Sequence, residues 1–217
     1  MKIFLDTADL AEIRRAADAG LIDGVTTNPS LVAQVAEGDV TDMYREICEV
    51  ANGPVSLEVL AVDRDTMVSE GRKLAAIHPN AVIKVPLTED GLKACRLLVD
   101  EGHKVNVTLC FSVSQALLAA KAGATFVSPF IGRIDDISGE GMQLIHQIRQ
   151  VYDNYGYDTE ILAASVRHPM HLVEAMLIGA DCCTIPPKVL WQLSKHPLTD
   201  RGLEAFLKDW NDAGTAI

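Results

Sequence analysis

Residues 81–86, Ala81-Val82-Ile83-Lys84-Val85-Pro86, form a short apolar run that opens after Pro79-Asn80 and closes on a proline. A brief run of β-branched residues bounded by turn formers reads as a buried strand. One lysine stands in its middle. An ammonium inside a strand buried on both faces is costly unless it is paired. Two outcomes are physically open. Carboxylates pair with Lys84, and the residue is structural; or the side chain gives up its proton and becomes an amine nucleophile suited to Schiff-base chemistry.

Working outward, similar strand-like runs recur at 2–5, 24–28, 55–60, 103–109, 124–128, 160–164 and 181–185. Apolar residues fall at helical spacing over 9–19, 41–51, 63–77, 88–100, 112–122, 139–155, 168–178 and 187–194, and Pro29 suits the first turn of a helix after the second strand. Strict alternation of strand and helix predicts a parallel sheet. Eight such units predict an α/β fold closed into a (β/α)8 TIM barrel, with an open doubly wound sheet as the alternative. The chain reads as one domain over 1–217, followed within it by a C-terminal helix at 199–217. In that tail Leu203, Phe206, Leu207 and Trp210 make one apolar stripe, suited either to the chain's own barrel or to a neighbouring subunit.

Composition narrows the function classes. At 217 residues and 48 % hydrophobic, the chain can bury a full core, and it has no apolar run long enough for a membrane span. The opening Met1-Lys2-Ile3-Phe4-Leu5-Asp6 meets an acid too early for a signal peptide. Five cysteines without CxxC spacing predict reduced thiols in a cytoplasmic protein rather than disulfides or a zinc site. A net charge of −11 argues against nucleic acid and anionic membranes as partners, while a local arginine cluster still permits a small anionic substrate.

Side-chain parity then sharpens the choice at Lys84. Side chains alternate across a strand, and barrel active sites lie at the C-terminal strand ends. With Ile83 facing the helices, Lys84 faces the barrel interior. The same test turns Asp6, Thr26 and Asn28, Glu58, Asn106 and Thr108, Ser128 and Phe130, and Ser165 with Arg167 inward. Polar groups thus converge on a small volume containing an amine, which a pure packing core would not need. Each has a plainer reading. Asp6 competes with Asp9 to cap a helix, Glu58 would satisfy Lys84 as a simple ion pair, and Asn106 and Thr108 would serve as buried hydrogen-bonding groups. Arg133 has Asp135 and Asp136 nearby, and Arg167 has surface carboxylates to choose from. Two arginines beside Ser165 still suit a phosphate, which guanidinium groups bind bidentately. His168 and His171 lack companions with metal-ligand spacing, so no metal is expected, and Cys110 reads as a packing thiol.

With these residues placed, the chain resembles the transaldolase family, in the short single-domain group that includes fructose-6-phosphate aldolase. The similarity is carried by Phe4-Leu5-Asp6-Thr7-Ala8, Gly24-Val25-Thr26-Thr27-Asn28-Pro29, Ser56-Leu57-Glu58-Val59 and Ile83-Lys84-Val85-Pro86-Leu87-Thr88. It continues through Asn106-Val107-Thr108-Leu109, Ser128-Pro129-Phe130-Ile131-Gly132-Arg133-Ile134-Asp135-Asp136 and Ala164-Ser165-Val166-Arg167. The resemblance implies that Lys84 forms a Schiff base with a ketose and Asp6 exchanges the proton of its C4 hydroxyl. It implies that Glu58 and Thr108 hold a proton-shuttling water. Asn28 and Asn106 would bind the dihydroxyacetone unit, with Thr26, Ser128 and Phe130 lining the same pocket. Arg133, Ser165 and Arg167 would take the substrate phosphate. No cofactor is implied, because a protonated imine is itself an electron sink. The aldolases of the group carry glutamine and tyrosine where this chain has Glu58 and Phe130, so the resemblance favours dihydroxyacetone transfer between sugar phosphates, in the pentose phosphate pathway, over release. The alternatives are the aldolase itself and a non-catalytic sugar-phosphate binding protein. It also implies a homo-oligomer, a pentamer or decamer.

Overall fold

The structure, a computed structural model, describes residues 1–214. Eight parallel strands run in sequence order around a closed barrel, β1 (Lys2–Asp6), β2 (Gly24–Thr26), β3 (Val55–Glu58), β4 (Ala81–Pro86), β5 (Val105–Cys110), β6 (Phe126–Pro129), β7 (Glu160–Ala163) and β8 (Cys182–Ile185), with β8 returning to pair with β1. Between and after them come α1 (Leu10–Asp18), α2 (Pro29–Val35), α3 (Thr41–Ala51), α4 (Arg64–Ala75), α5 (Glu89–Asp100) and α6 (Val113–Lys121). The second half of the chain adds α7 (Ile131–Asp135), α8 (Gly141–Tyr155), α9 (Pro169–Ile178), α10 (Pro187–Gln192) and α11 (Pro197–Asp212). The expected (β/α)8 barrel is the fold.

Helices start where short polar side chains can satisfy the free N–H groups of a first turn. Asp9 accepts from the Ala11 and Glu12 amides, Asp63 from Thr66, Thr88 from Gly91 and Ser112 from Gln115. Because Asp9 caps α1, Asp6 is left free for another role. Two helices escape the periodicity of the sequence. Both α2 and α7 are too short to show a stripe, and the segment after β2 is two helices rather than one. Three strands, β2, β3 and β7, end earlier than the apolar runs suggest. β2 stops at Thr26, so Asn28 caps α2 by accepting from the Leu31 amide, and β7 stops at Ala163, so Ser165 and Arg167 lie on a loop. Strand parity therefore does not govern those three residues.

The register divides the barrel interior into layers. At the floor Lys2 and Glu160 pair at 2.8 Å. Above them Phe4, Val82, Phe126, Leu162 and Cys182 form a fully enclosed apolar plug, with the Phe4 and Phe126 rings edge to face at 5.8 Å. Gly24 stands beside Phe4 in the ladder, and a Cβ there would come within 3.0 Å of the Phe4 ring and 2.5 Å of the Pro54 carbonyl. The layer above the plug is polar. The main core lies outside the barrel, between the outward strand faces and the helices.

The C-terminal helix departs from this pattern. None of the side chains of α11 is buried, and Phe206 is 74 % exposed. Its stripe thus finds no cover on its own barrel. The helix begins at Pro197, and the expected extension over 215–217 lies outside the described residues.

The plug is thin, so each of its two phenylalanines should matter. Phe126→Ala is expected to cost about 3–5 kcal/mol, read as a lower urea midpoint with an unchanged slope.

Candidate active site

A cavity of about 210 Å³ opens at the C-terminal ends of the strands. Lys84 forms part of its wall and is 4 % exposed. Its Nζ lies 2.9 Å from Glu58 Oε2 and donates to the Thr27 carbonyl at 2.7 Å. The first contact follows from register, since Glu58 and Lys84 are ladder partners on adjacent strands. The second follows from the early end of β2, where the Thr27 amide and hydroxyl both bond Ser56 O and hold the residue against β3. The ion pair expected under the plainer reading is therefore formed. It also has a chemical use: a carboxylate touching the ammonium is placed to receive its proton when the amine attacks.

Asp6 enters the cavity from β1. Thr26 donates to it at 2.7 Å, and Thr26 is linked in turn to Thr184 at 2.6 Å. Burial raises the Asp6 carboxyl above the usual range, while the Thr26 hydroxyl and the charge of Lys84 pull the other way. A carboxyl moved upward in this way exchanges protons more readily near neutral pH. On the far wall Ser128 donates to Asn106 Oδ1 at 2.8 Å, and Asn106 Nδ2 donates to Ser56 at 3.0 Å. Thr108 is buried and its Oγ1 has no hydrogen-bond partner among the described residues. An unpaired buried hydroxyl of this kind requires a partner from solvent or ligand.

The mouth carries the positive charge. Arg133 on α7 and Arg167 on the β7–α9 loop both border the cavity, as do Ser165 and Phe130. Arg133 lies over the Phe130 ring at 5.0 Å, and Phe130 meets Phe111 edge to face. Arg167 donates to Asp136 at 2.7 Å, so the surface pairing foreseen for it is realised; both partners are about half exposed. Such a pair is weak enough to be exchanged for a phosphate.

Most of the residues picked out by sequence thus meet at one cavity. Glu58 and Asn106 stand one contact behind its wall, reaching it through Lys84 and Ser128. Two wall residues were not foreseen. Thr184 shares the interior parity of Cys182, so extending the parity test to the eighth strand would have found it. Ala164 carries no polar signal. His168 and His171 stack on each other at 3.8 Å, and no group of three or more His, Cys, Asp or Glu among the described residues is placed to hold a metal. All five cysteines are buried, free thiols, and burial pushes Cys110 up to about 12, far from a reactive thiolate.

The state of Asp6 has a consequence for stability. Its native carboxyl sits above the unfolded value of 3.8, so the native state loses stability as pH rises through the native value, and the loss is complete above it. Asp6→Asn should therefore raise Tm at neutral pH by roughly 2–4 °C per kcal/mol recovered. The gain should vanish below pH 3.8, where both carboxyls are neutral. Calorimetry of both proteins across pH checks this.

Comparison with known proteins agrees with the geometry. The family model described as Transaldolase/Fructose-6-phosphate aldolase matches residues 3–217. A protein of Dinoroseobacter shibae named "Probable transaldolase" is 60 % identical, and one of the same name from Parvibaculum lavamentivorans is 61 % identical, each alignment covering 100 % of both chains. Among solved structures, thiamine phosphate pyrophosphorylase from Pyrococcus furiosus superposes with a TM-score of 0.60 over 87 % of each chain, at 12 % identity, which speaks to the barrel alone. No helix among the described residues is long and apolar enough to cross a membrane. On its sequence, its fold and its relatives, the chain belongs to the transaldolase/fructose-6-phosphate aldolase family.

Proposed function

We propose that the protein is a transaldolase that carries a dihydroxyacetone unit on Lys84, from a ketose phosphate such as fructose 6-phosphate or sedoheptulose 7-phosphate to an aldose phosphate such as erythrose 4-phosphate or glyceraldehyde 3-phosphate. One observation carries the reading: a buried lysine on a cavity wall, touching a carboxylate, with a second carboxyl across the cavity and two arginines at its mouth. Glu58 takes the proton that Lys84 must lose, and the amine attacks the ketose carbonyl. Loss of water gives the iminium, which draws electrons from the C3–C4 bond as Asp6 removes the C4 hydroxyl proton. The aldose phosphate leaves, and the enamine waits for the next one. Thr108, whose hydroxyl is unpaired, holds the water that relays protons between Glu58 and the intermediates. Asn28, Thr26, Asn106 and Ser128 bind or frame the hydroxyls of the dihydroxyacetone unit, and Arg133, Ser165 and Arg167 hold the phosphate.

Transfer is favoured over release by what lies against the enamine. Phe130 presents a ring with no hydroxyl, packed on Phe111 and Arg133, so that wall supplies no acid to quench the carbanion. The setting proposed is the cytoplasm and the non-oxidative pentose phosphate pathway. The uncovered stripe of α11 supports a homo-oligomer in which this helix packs on a neighbouring subunit, and the size proposed is a pentamer or decamer.

Intact mass and peptide mapping after fructose 6-phosphate and borohydride should show a reduced three-carbon adduct on Lys84; without borohydride little free dihydroxyacetone should appear, and adding erythrose 4-phosphate should yield sedoheptulose 7-phosphate. Binding without an adduct would leave Lys84 as a structural partner of Glu58, and rapid release of dihydroxyacetone would make the protein an aldolase. Ending the chain at His196 should move its light-scattering mass toward the monomer; an unchanged mass would remove α11 from the interface.

A further inference from the structure

The two arginines at the cavity mouth stand on different elements, and something must hold their spacing. α7 lies against the β7–α9 loop through two backbone bonds, Ile131 N–H to Ala164 O at 3.0 Å and Gly132 N–H to Ser165 O at 3.1 Å. The approach is so close that a Cβ on Gly132 would sit 2.1 Å from the Ser165 carbonyl. Ser165 itself has φ +62, a left-handed backbone that a non-glycine residue keeps only when its surroundings enforce it. Behind this contact, and away from the cavity wall, is His171 in the first turn of α9. It is 6 % exposed. Its Nε2 lies 3.1 Å from Asp135 Oδ2 on α7, and its Nδ1 accepts the Arg167 amide at 3.3 Å. Asp135 is fixed in turn, its Oδ1 accepting from the Gly141 amide at 2.8 Å.

We infer that His171 is a positioning residue for the phosphate site, clamping the helix that bears Arg133 to the loop that bears Ser165 and Arg167. The inference rests on the reading that those three residues hold the substrate phosphate. Only one form of the imidazole makes both contacts, the neutral tautomer with its proton on Nε2. Protonation places a second N–H against the Arg167 amide, two donors facing each other, and frees the loop. Burial and the neighbouring His168 hold His171 below a histidine's ordinary range, while Asp135 and Glu174 oppose them and Arg167 adds to the lowering. His171 also lines a second groove, separate from the active-site cavity, which Glu140 and His146 border from the α8 side. The clamp is therefore closed at neutral pH and opens in acid.

The test compares the full-length wild type with His171→Ala, His171→Asn and Arg167→Ala, following adduct formation on Lys84 from fructose 6-phosphate and from fructose. A displaced binding group costs up to about a hundredfold. His171→Ala should lower the second-order rate constant for fructose 6-phosphate about tenfold or more, through a higher half-saturation concentration, and leave that for fructose unchanged. Equal losses on both donors would show a merely structural residue and overturn the inference. So would an intact preference for the phosphorylated donor in His171→Ala when Arg167→Ala has lost it. If Arg167→Ala keeps the preference, the phosphate reading itself fails, and the clamp with it. His171→Asn guards against a variant that does not fold, because its amide oxygen can still accept the Arg167 amide but cannot titrate. In wild type the half-saturation concentration for fructose 6-phosphate should rise more steeply below about pH 6.5 than in His171→Asn, which keeps the other titrating groups and the substrate's own phosphate but lacks the imidazole. Identical slopes would overturn the proposal.

Discussion

A charged amine buried inside a β-barrel must be given partners, and in this protein they come from one side, from β3 and from the residue that follows β2. Glu58 reaches Lys84 because β3 and β4 pair in that register, and the Thr27 carbonyl reaches it because β2 ends one residue earlier. A one-residue slip would turn Glu58 toward the helices and leave an unpaired ammonium in the interior, which is far costlier than losing a surface pair. The same contacts place a proton acceptor beside a nucleophile. Structural necessity and chemical use are met here by one arrangement, which is why the ion pair argues as readily for catalysis as for stability.

The barrel interior separates support from chemistry along its axis. Phe4, Val82, Phe126, Leu162 and Cys182 close the lower part, and the layer above them is given over to hydroxyls, amides, carboxyls and one amine. That upper layer is not a relaxed core. Asp6 is held where burial works against its charge, and Thr108 has an unpaired hydroxyl. Such local costs are tolerated because the main core, between strands and helices, is large and continuous. The mouth uses a different solution, in which glycine permits a backbone contact and a strained serine is locked by it.

Legibility followed the physics of each element. Strands carry a period of two, so Lys84, Asp6, Glu58, Thr108 and Ser128 could be turned inward from sequence, and the strand–helix alternation implied closure. Thr184, with the same inward parity as Cys182, is equally legible. Asn28, Ser165 and Arg167 lie beyond the ends of strands, where parity has no meaning, and their place at the cavity depends on a helix cap and a left-handed turn. Short helices such as α7 offer too few residues for a stripe. The choice between Asp6 and Asp9 as cap was settled only by the amides that Asp9 accepts.

What the sequence determined by itself is the architecture and the chemical inventory: eight repeated units, an amine in a buried strand, carboxyls and hydroxyls of inward parity, and two arginines late in the chain. These follow from periodicity and composition, which are local properties. Only the tertiary structure decided who meets whom. The contacts Lys84–Glu58, Arg167–Asp136 and His171–Asp135 each join residues from separate units. It also left the α11 stripe without a partner on its own barrel. Contacts between distant segments depend on register, loop length and close approach of backbones, and none of these is written in the spacing of a single segment.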